Sequence, residues 1–407
     1  MAALRPLSLV VIVLALLGCG RARREGPPAT HTLGVAEALG GSERNGFERA
    51  VEPRPFDFPR DHGPHARFRT EWWYFTGNLL DLDGRHFGFQ ATFFRNGLDA
   101  LAAERSSSWA AREIFMAHFA LTDSSAKSFR SFERFGRGAA GIAGAVADPL
   151  RIWLEDWEVS QLPVVSELVV QTHPNARLPP LRLRLTEEDI ALDLTLVPVK
   201  PEVLHGERGL SRKGSQPGNA SYYYSFTRLQ SEGTLNVGGR TFAVDGLSWM
   251  DHEWSTSVLE EGLVGWNWVS LQFPDRSELM YFELRNADGE IDEVSGTTGT
   301  WIEPDGSHEP LAPGDATLTP LSTWTSKETA ISYPSRWRLT INSRDLVLEF
   351  EPTVAQQEHA GAITYWEGAV SGALGTSGEE AKTFRGYVEL TGYGDRAPTP
   401  RVARAIP

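Results

Sequence analysis

The stretch Gly246 to Trp254 reads Gly-Leu-Ser-Trp-Met-Asp-His-Glu-Trp and sets two carboxylates and an imidazole between two indoles. In an extended strand side chains alternate, so Trp249, Asp251 and Glu253 share one face while Met250, His252 and Trp254 share the other. One face then offers paired acids beside aromatic rings. Desolvation by those rings raises the pKa of one acid while its partner stays ionised, the arrangement that general acid and base chemistry needs. The same residues also suit a hydrogen-bonded cluster at a barrel rim that performs no chemistry. Asp251, His252 and Glu253 are the candidate catalytic residues, with Trp249 and Trp254 as candidate ligand contacts.

Other polar residues are weaker candidates. His118 lies in Phe115-Met116-Ala117-His118-Phe119-Ala120, on the face of Met116 and Ala120, where a satisfied core histidine and a ligand contact both fit. Glu71 leads the aromatic run Glu71-Trp72-Trp73-Tyr74-Phe75 and either approaches the site or pairs with an arginine such as Arg95; Glu367, beside Trp366, reads as an interdomain or rim carboxylate. No metal site is expected: His62 and His65 flank a Gly63-Pro64 turn, and Asp251, His252 and Glu253 point in alternate directions instead of converging. No cofactor is expected either. The absence of a Gly-x-Ser-x-Gly nucleophile elbow leaves a serine hydrolase of the α/β type without support.

The elements that must carry these residues are strands. Alternation is clear in Leu181-Arg182-Leu183-Arg184-Leu185, in Ala191 to Leu196, in Trp337 to Ile341 and in Leu346 to Phe350, whereas helical periodicity is scarce. The chain also repeats itself. Glu71 to Phe75, a polar turn and Phe87 to Asn96 match Gly265-Trp266-Asn267-Trp268-Val269, a polar turn and Leu279 to Asn286. Further on, Tyr222 to Leu235 followed by Arg240 to Trp254 matches Tyr365 to Leu374 followed by Lys382 to Leu390. Two copies of one all-β unit result, joined near Ser257 to Leu263, and the expected fold is a pair of tandem lipocalin-like β-barrels spanning 51–256 and 257–397. Closed or curled sheets hide strand edges and can line a cavity, which makes Trp73, Tyr74, Trp266 and Trp268 further candidate ligand contacts.

Upstream of the first copy, Arg5 precedes an apolar run from Leu7 to Leu17 that is too short to span a bilayer and ends in Leu16-Leu17-Gly18-Cys19. This has the form of a lipoprotein signal, residues 1–18, with Cys19 as the acylation site. Cys19 is the only cysteine, so an intramolecular disulfide is excluded. Residues 19–50, rich in Arg, Gly, Pro and Thr, read as a flexible tether. The expected location is the periplasm, held by lipid, with the outer membrane favoured because no Asp follows Cys19. A formal charge of −14 argues against nucleic acid or anionic headgroups as main partners and leaves a neutral or apolar small molecule as the expected one.

Thr70-Glu71-Trp72-Trp73-Tyr74, Ala117 to Asp123, Tyr222 to Leu229, Asp251-His252-Glu253-Trp254, Gly265-Trp266-Asn267-Trp268 and Tyr365-Trp366-Glu367-Gly368 together resemble the AttH and carotenoid 1,2-hydratase superfamily over nearly all of the mature chain. The resemblance implies two lipocalin-like domains. In the hydroxyneurosporene synthase branch it also implies cofactor-independent addition of water to a terminal double bond of an acyclic carotenoid, with Asp251 at the position of the acid. Met250 and Glu253 stand where that branch carries a polar residue and a neutral amide, which places the chain nearer the AttH-like secreted lipoproteins. Three functional readings follow: a lipid-anchored binder of an isoprenoid or lipid-like ligand, a hydratase or hydrolase acting through Asp251, and an accessory subunit docking on an ABC-type permease.

Overall fold

Strands are dictated by the alternation and by the turns between them. In the segment Leu181–Glu187 the leucines at 181, 183 and 185 are buried while Arg182 and Arg184 face water, and the same alternation buries Trp337, Leu339 and Ile341 in Ser332–Ile341. Gly238 and Gly239 both have positive φ, 58° and 77°, in the tight turn that joins the two longest strands. The computed structural model describes residues 46–394 apart from 101–106, 108, 164–171, 258, 261, 287, 292–297 and 375–381. The lipoprotein signal expected over residues 1–18, and Cys19, lie outside the described residues.

The protein is all-β, with two sheets curled into tandem lipocalin-like barrels. Strands of the first are β1 (Thr70–Asp81), β2 (His86–Gly97), β3 (Glu113–Asp123), β4 (Ser128–Arg137), β5 (Ala143–Ala147), β6 (Leu150–Leu154) and β7 (Trp157–Gln161). It continues with β8 (Leu181–Glu187), β9 (Ile190–Pro198), β10 (Val203–Leu204), β11 (Leu210–Arg212), β12 (Ala220–Val237) and β13 (Arg240–Ser255). The second holds β14 (Leu263–Gln272), β15 (Glu278–Asn286), β16 (Thr298–Ile302), β17 (His308–Pro310) and β18 (Ala316–Thr325). It ends with β19 (Ser332–Ile341), β20 (Leu346–Pro352), β21 (Glu358–Ala360), β22 (Thr364–Leu374) and β23 (Lys382–Leu390). Among the described residues the only helical turns are two 3-10 turns, Arg60–His62 and Asn342–Arg344, and no helix is long and apolar enough to cross a membrane.

Topology repeats between the halves. In the first sheet the order runs β4-β3-β2-β1-β13-β12-β9-β8-β7-β6-β5, and in the second β17-β16-β15-β14-β23-β22-β20-β19-β18. Each opening hairpin, β1–β2 or β14–β15, therefore lies beside the closing strand of its own half, so the hairpins that begin near Trp72 and Trp266 occupy equivalent places. Each curled sheet wraps a core of its own, with Trp157, Phe75 and Phe119 in the first and Trp337, Trp366 and Phe384 in the second. A third apolar cluster, including Tyr74, Tyr223, Trp249, Trp268 and Phe282, lies where the sheets meet back to back. Strands at this contact are covered on both faces. All residues of β13 from Ser248 to Ser255 are buried, unlike the half-exposed β8.

One expectation about the chain's start is corrected by packing. The tether expected over residues 19–50 stops short of its last residues: Ala50 is fully buried, the Glu48 amide donates to the Arg67 carbonyl at 2.8 Å, and the Arg49 guanidinium donates to Asn219 at 2.9 Å. Arginine and glycine lower the apolar content here, but the polar groups of Glu48 and Arg49 find partners on the barrel. The ordered body thus begins before residue 51.

Candidate functional site

Between the two sheets lies a small cavity of about 60 Å³, partly open to solvent, and its wall carries Asp251 and Glu253 from β13. Alternation in β13 places the two acids and Trp249 toward the second sheet and turns His252 and Trp254 into the first barrel, as the strand pattern requires. Trp72 and Tyr74 of β1, Trp266 and Trp268 of β14, and Phe282 of β15 supply the aromatic wall. Tyr74 meets Trp268 edge to face, with ring centroids 5.2 Å apart.

Asp251 is buried and held by three donors. Its Oδ1 accepts the Trp249 indole N–H at 2.6 Å and the Ser225 hydroxyl, and its Oδ2 accepts the Tyr223 hydroxyl at 2.8 Å. Ser225 stands directly opposite Asp251 in the β12–β13 register. Tyr223 in turn accepts the Trp268 N–H at 3.1 Å, so one hydrogen-bonded line runs from the second barrel to the acid of the first. Burial pushes the Asp251 carboxyl up to about 7 against the pull of those donors, and the neighbouring Glu253 adds to the rise. Glu253 differs: it accepts the Ser221 hydroxyl and pairs with the Lys213 ammonium at 3.1 Å. The wall thus holds one acid close to half-protonated at neutral pH beside one salt-bridged acid.

The second barrel contributes acids of its own. Burial pushes Glu389 up to about 7, its Oε2 accepting the Trp266 N–H at 2.9 Å. Burial and the Glu389 charge push Glu367 well above the usual carboxylate range. These two stand opposite each other on β22 and β23, and the Tyr74 and Tyr365 hydroxyls beside Glu367 pull against that rise.

Of the residues singled out from sequence, Asp251, Glu253, Tyr74, Trp266 and Trp268 line the cavity, and Trp249 supports it by donating to Asp251. Trp73, His252 and Trp254 are not at the cavity. They lie in the first barrel, where Trp73 stacks on His252 at 4.9 Å and His65 stacks on Trp254 at 3.7 Å. There His252 contacts Tyr224 at 3.0 Å and Glu71 at 2.9 Å, and burial lowers its pKa. Burial alone would raise Glu71, but Arg95, 2.8 Å away, together with His65 and His252, holds it well below the carboxylate range. His252, a candidate catalytic residue, is thus away from the two acids, on the opposite face that strand alternation gives it. His118 stands behind the wall, its Nδ1 2.7 Å from the hydroxyl of Tyr365, which does line the cavity.

Sequence reasoning missed Tyr223, Lys213 and Glu389. Alternation along β12 puts Tyr223 and Ser225 on one face, and the repeat equated the Glu389 strand with the Asp251 strand, so two of the three had a usable signal. Lys213 had none, because it arrives from a loop after β11.

Fold and site together define a two-barrel protein whose carboxyl groups meet in an aromatic cavity between the halves. The chain belongs to the AttH-like family, whose profile matches residues 49–393. It is similar to an AttH protein of Nitrosomonas europaea, with 32% identity over 85% of this chain and 100% of that one and a TM-score of 0.71. Kievitone hydratase of Nectria haematococca is similar in fold, with a TM-score of 0.61 and 15% identity over 86% of this chain and 98% of that one. No protein of curated function matches the chain.

Proposed function

We propose that the protein binds a neutral, apolar small molecule of isoprenoid or lipid-like character between its barrels and adds water across a carbon–carbon double bond, without a cofactor. The observation that carries this reading is Asp251, a carboxyl raised to about 7 inside an aromatic cavity. Protonated Asp251 delivers its proton to one alkene carbon, and the positive charge that develops on the other is stabilised by aromatic faces, worth roughly 1 to 2 kcal/mol each in a dry site. Water then attacks the cation and loses a proton to Glu253, and exchange through solvent returns both acids to their starting states. The hydratase activity named for the fungal relative and the acid position implied by the family resemblance support the same assignment.

The test uses an acyclic isoprenoid bearing a terminal trisubstituted double bond, incubated in ¹⁸O-labelled water. Wild-type protein should yield the labelled tertiary alcohol, with activity falling as pH rises through about 7. Asp251→Asn should lose roughly 10² to 10⁴ in rate while still quenching tryptophan fluorescence on ligand addition. Binding by both proteins with turnover by neither would leave a carrier, and no binding by either would overturn the cavity assignment. We further propose that Cys19 carries the lipid that holds the mature chain at the periplasmic face of the outer membrane. Cys19→Ser should release soluble protein or leave an unprocessed precursor, and normal processing with unchanged membrane association would defeat this.

A further inference from the structure

We propose that His118, Glu133 and His359 form a binding site for a divalent transition metal, zinc in the first instance, that ties the two barrels together. His118 and Glu133 face each other across β3 and β4 of the first sheet, whereas His359 comes from β21 of the second. The Nε2 of His118 lies 3.1 Å and the Nε2 of His359 3.7 Å from the same carboxylate oxygen, Glu133 Oε2, and the three ligand atoms all lie within 4.8 Å of one another. Around a tetrahedral zinc with bonds of roughly 2.0 to 2.1 Å, ligand atoms sit about 3.3 Å apart, a spacing these distances bracket. Two imidazoles and one carboxylate suit zinc or iron(II) better than calcium or magnesium, and water would complete the coordination from the side of Glu133, the most exposed of the three.

Three observations separate this cluster from an ordinary hydrogen-bonded triad. The buried His359 Nε2 makes no hydrogen bond of ordinary length, its contact with Glu133 Oε2 being 3.7 Å long, and a buried polar atom held so loosely costs about 1 to 3 kcal/mol. Gly361 keeps the convergence point open, because a Cβ there would lie 2.4 Å from that Nε2 and 2.9 Å from Glu133 Oε2. Outer contacts orient the ligands as a metal site requires: His118 Nδ1 is fixed by the Tyr365 hydroxyl at 2.7 Å, and the Ala362 amide donates to the Glu133 carboxylate, 3.1 Å from Oε1 and 3.2 Å from Oε2. A comparable group, His65, Glu71 and His252, has a similar outer contact, Tyr224 on His252 Nδ1 at 3.0 Å, but every ring nitrogen in it already has a partner. There the Arg95 guanidinium already occupies Glu71 at 2.8 Å, and both histidines have close partners. This inference stands apart from the proposed chemistry, although Tyr365 joins the two sites.

The experiment uses tag-free full chain, stripped with a chelator and titrated with Zn²⁺, and with Co²⁺ for its visible absorption. Wild type should take up one equivalent, with a rise in Tm and cobalt bands of a nitrogen- and oxygen-ligated site. His359→Gln and Glu133→Gln should weaken binding at least 100-fold, and Tyr365→Phe about 10-fold. Gly361→Ala, which keeps every ligand and fills the space between them, should abolish uptake while the protein stays folded by circular dichroism. Absence of stoichiometric uptake by wild type would overturn the proposal. So would uptake that survives Gly361→Ala and His359→Gln, or uptake lost only on Glu71→Gln.

Discussion

Asp251 shows how one side chain's surroundings set both chemistry and stability. Its pKa is raised from 3.8 to about 7 in the folded protein, so the folded state binds this proton more tightly than the unfolded chain. The contribution to stability is fully present below about pH 4 and is lost as pH rises through about 7. Asp251→Asn cannot titrate. Between pH 4 and pH 8 the stability difference should therefore move in the variant's favour by up to about 4 kcal/mol, measured by urea denaturation at each pH. A flat difference would mean that the carboxyl does not titrate in that window. This residue was legible because strand alternation is a local rule, and the rule also separated it from His252 once the strand was placed. Tyr223 and Lys213 were less legible, since what makes them functional is a cross-strand or loop contact instead of their own neighbours in sequence.

At the scale of elements, the strands that build the site are those whose two faces are both covered. β8, β9, β19 and β20 show alternation and were readable as strands from that alone, whereas β1, β13 and β14 read as dense aromatic runs because one face fills a barrel and the other meets the opposite sheet. The close approach is set by small residues. A Cβ on Gly88 of β2 would lie 2.6 Å from the Ala369 Cβ of β22 and 2.8 Å from the Tyr387 hydroxyl of β23. Gly88→Leu should force these strands apart and cost about 1 to 3 kcal/mol, with weaker ligand-induced quenching as the cavity wall shifts. An unchanged denaturation midpoint would show that the sheets have slack at this point. Nothing in the sequence around Gly88 marks it as an interdomain contact, because the atoms it must avoid come from residues far along the chain.

Across the whole molecule, the duplication was visible in the order of aromatic hairpins, but the way the copies meet was not. Repeats specify what each half folds into, and back-to-back docking depends on polar groups that find partners only after both halves exist. Glu278 of β15 is the clearest of these. It is fully buried and pairs with Lys200 at 2.7 Å and Arg228 at 2.5 Å, both from the first half, while Lys200 also donates to the carbonyls of Arg276 and Glu303. Gln272 adds donations to the Thr227 and Ser248 carbonyls at 2.7 and 3.2 Å. A half folded alone would leave these charges without partners, so the two barrels should unfold together in a single calorimetric transition. Glu278→Ala strands two cations at the interface, and breaking a buried pair in this way typically costs about 3 to 5 kcal/mol. The variant should therefore show a large drop in Tm and separate transitions for the two barrels, with ligand-induced quenching lost before either barrel melts. If Glu278→Ala unfolds in one step within about 1 kcal/mol of wild type, the halves are coupled by the apolar contact around Trp249 and Trp268 and not by this charge cluster.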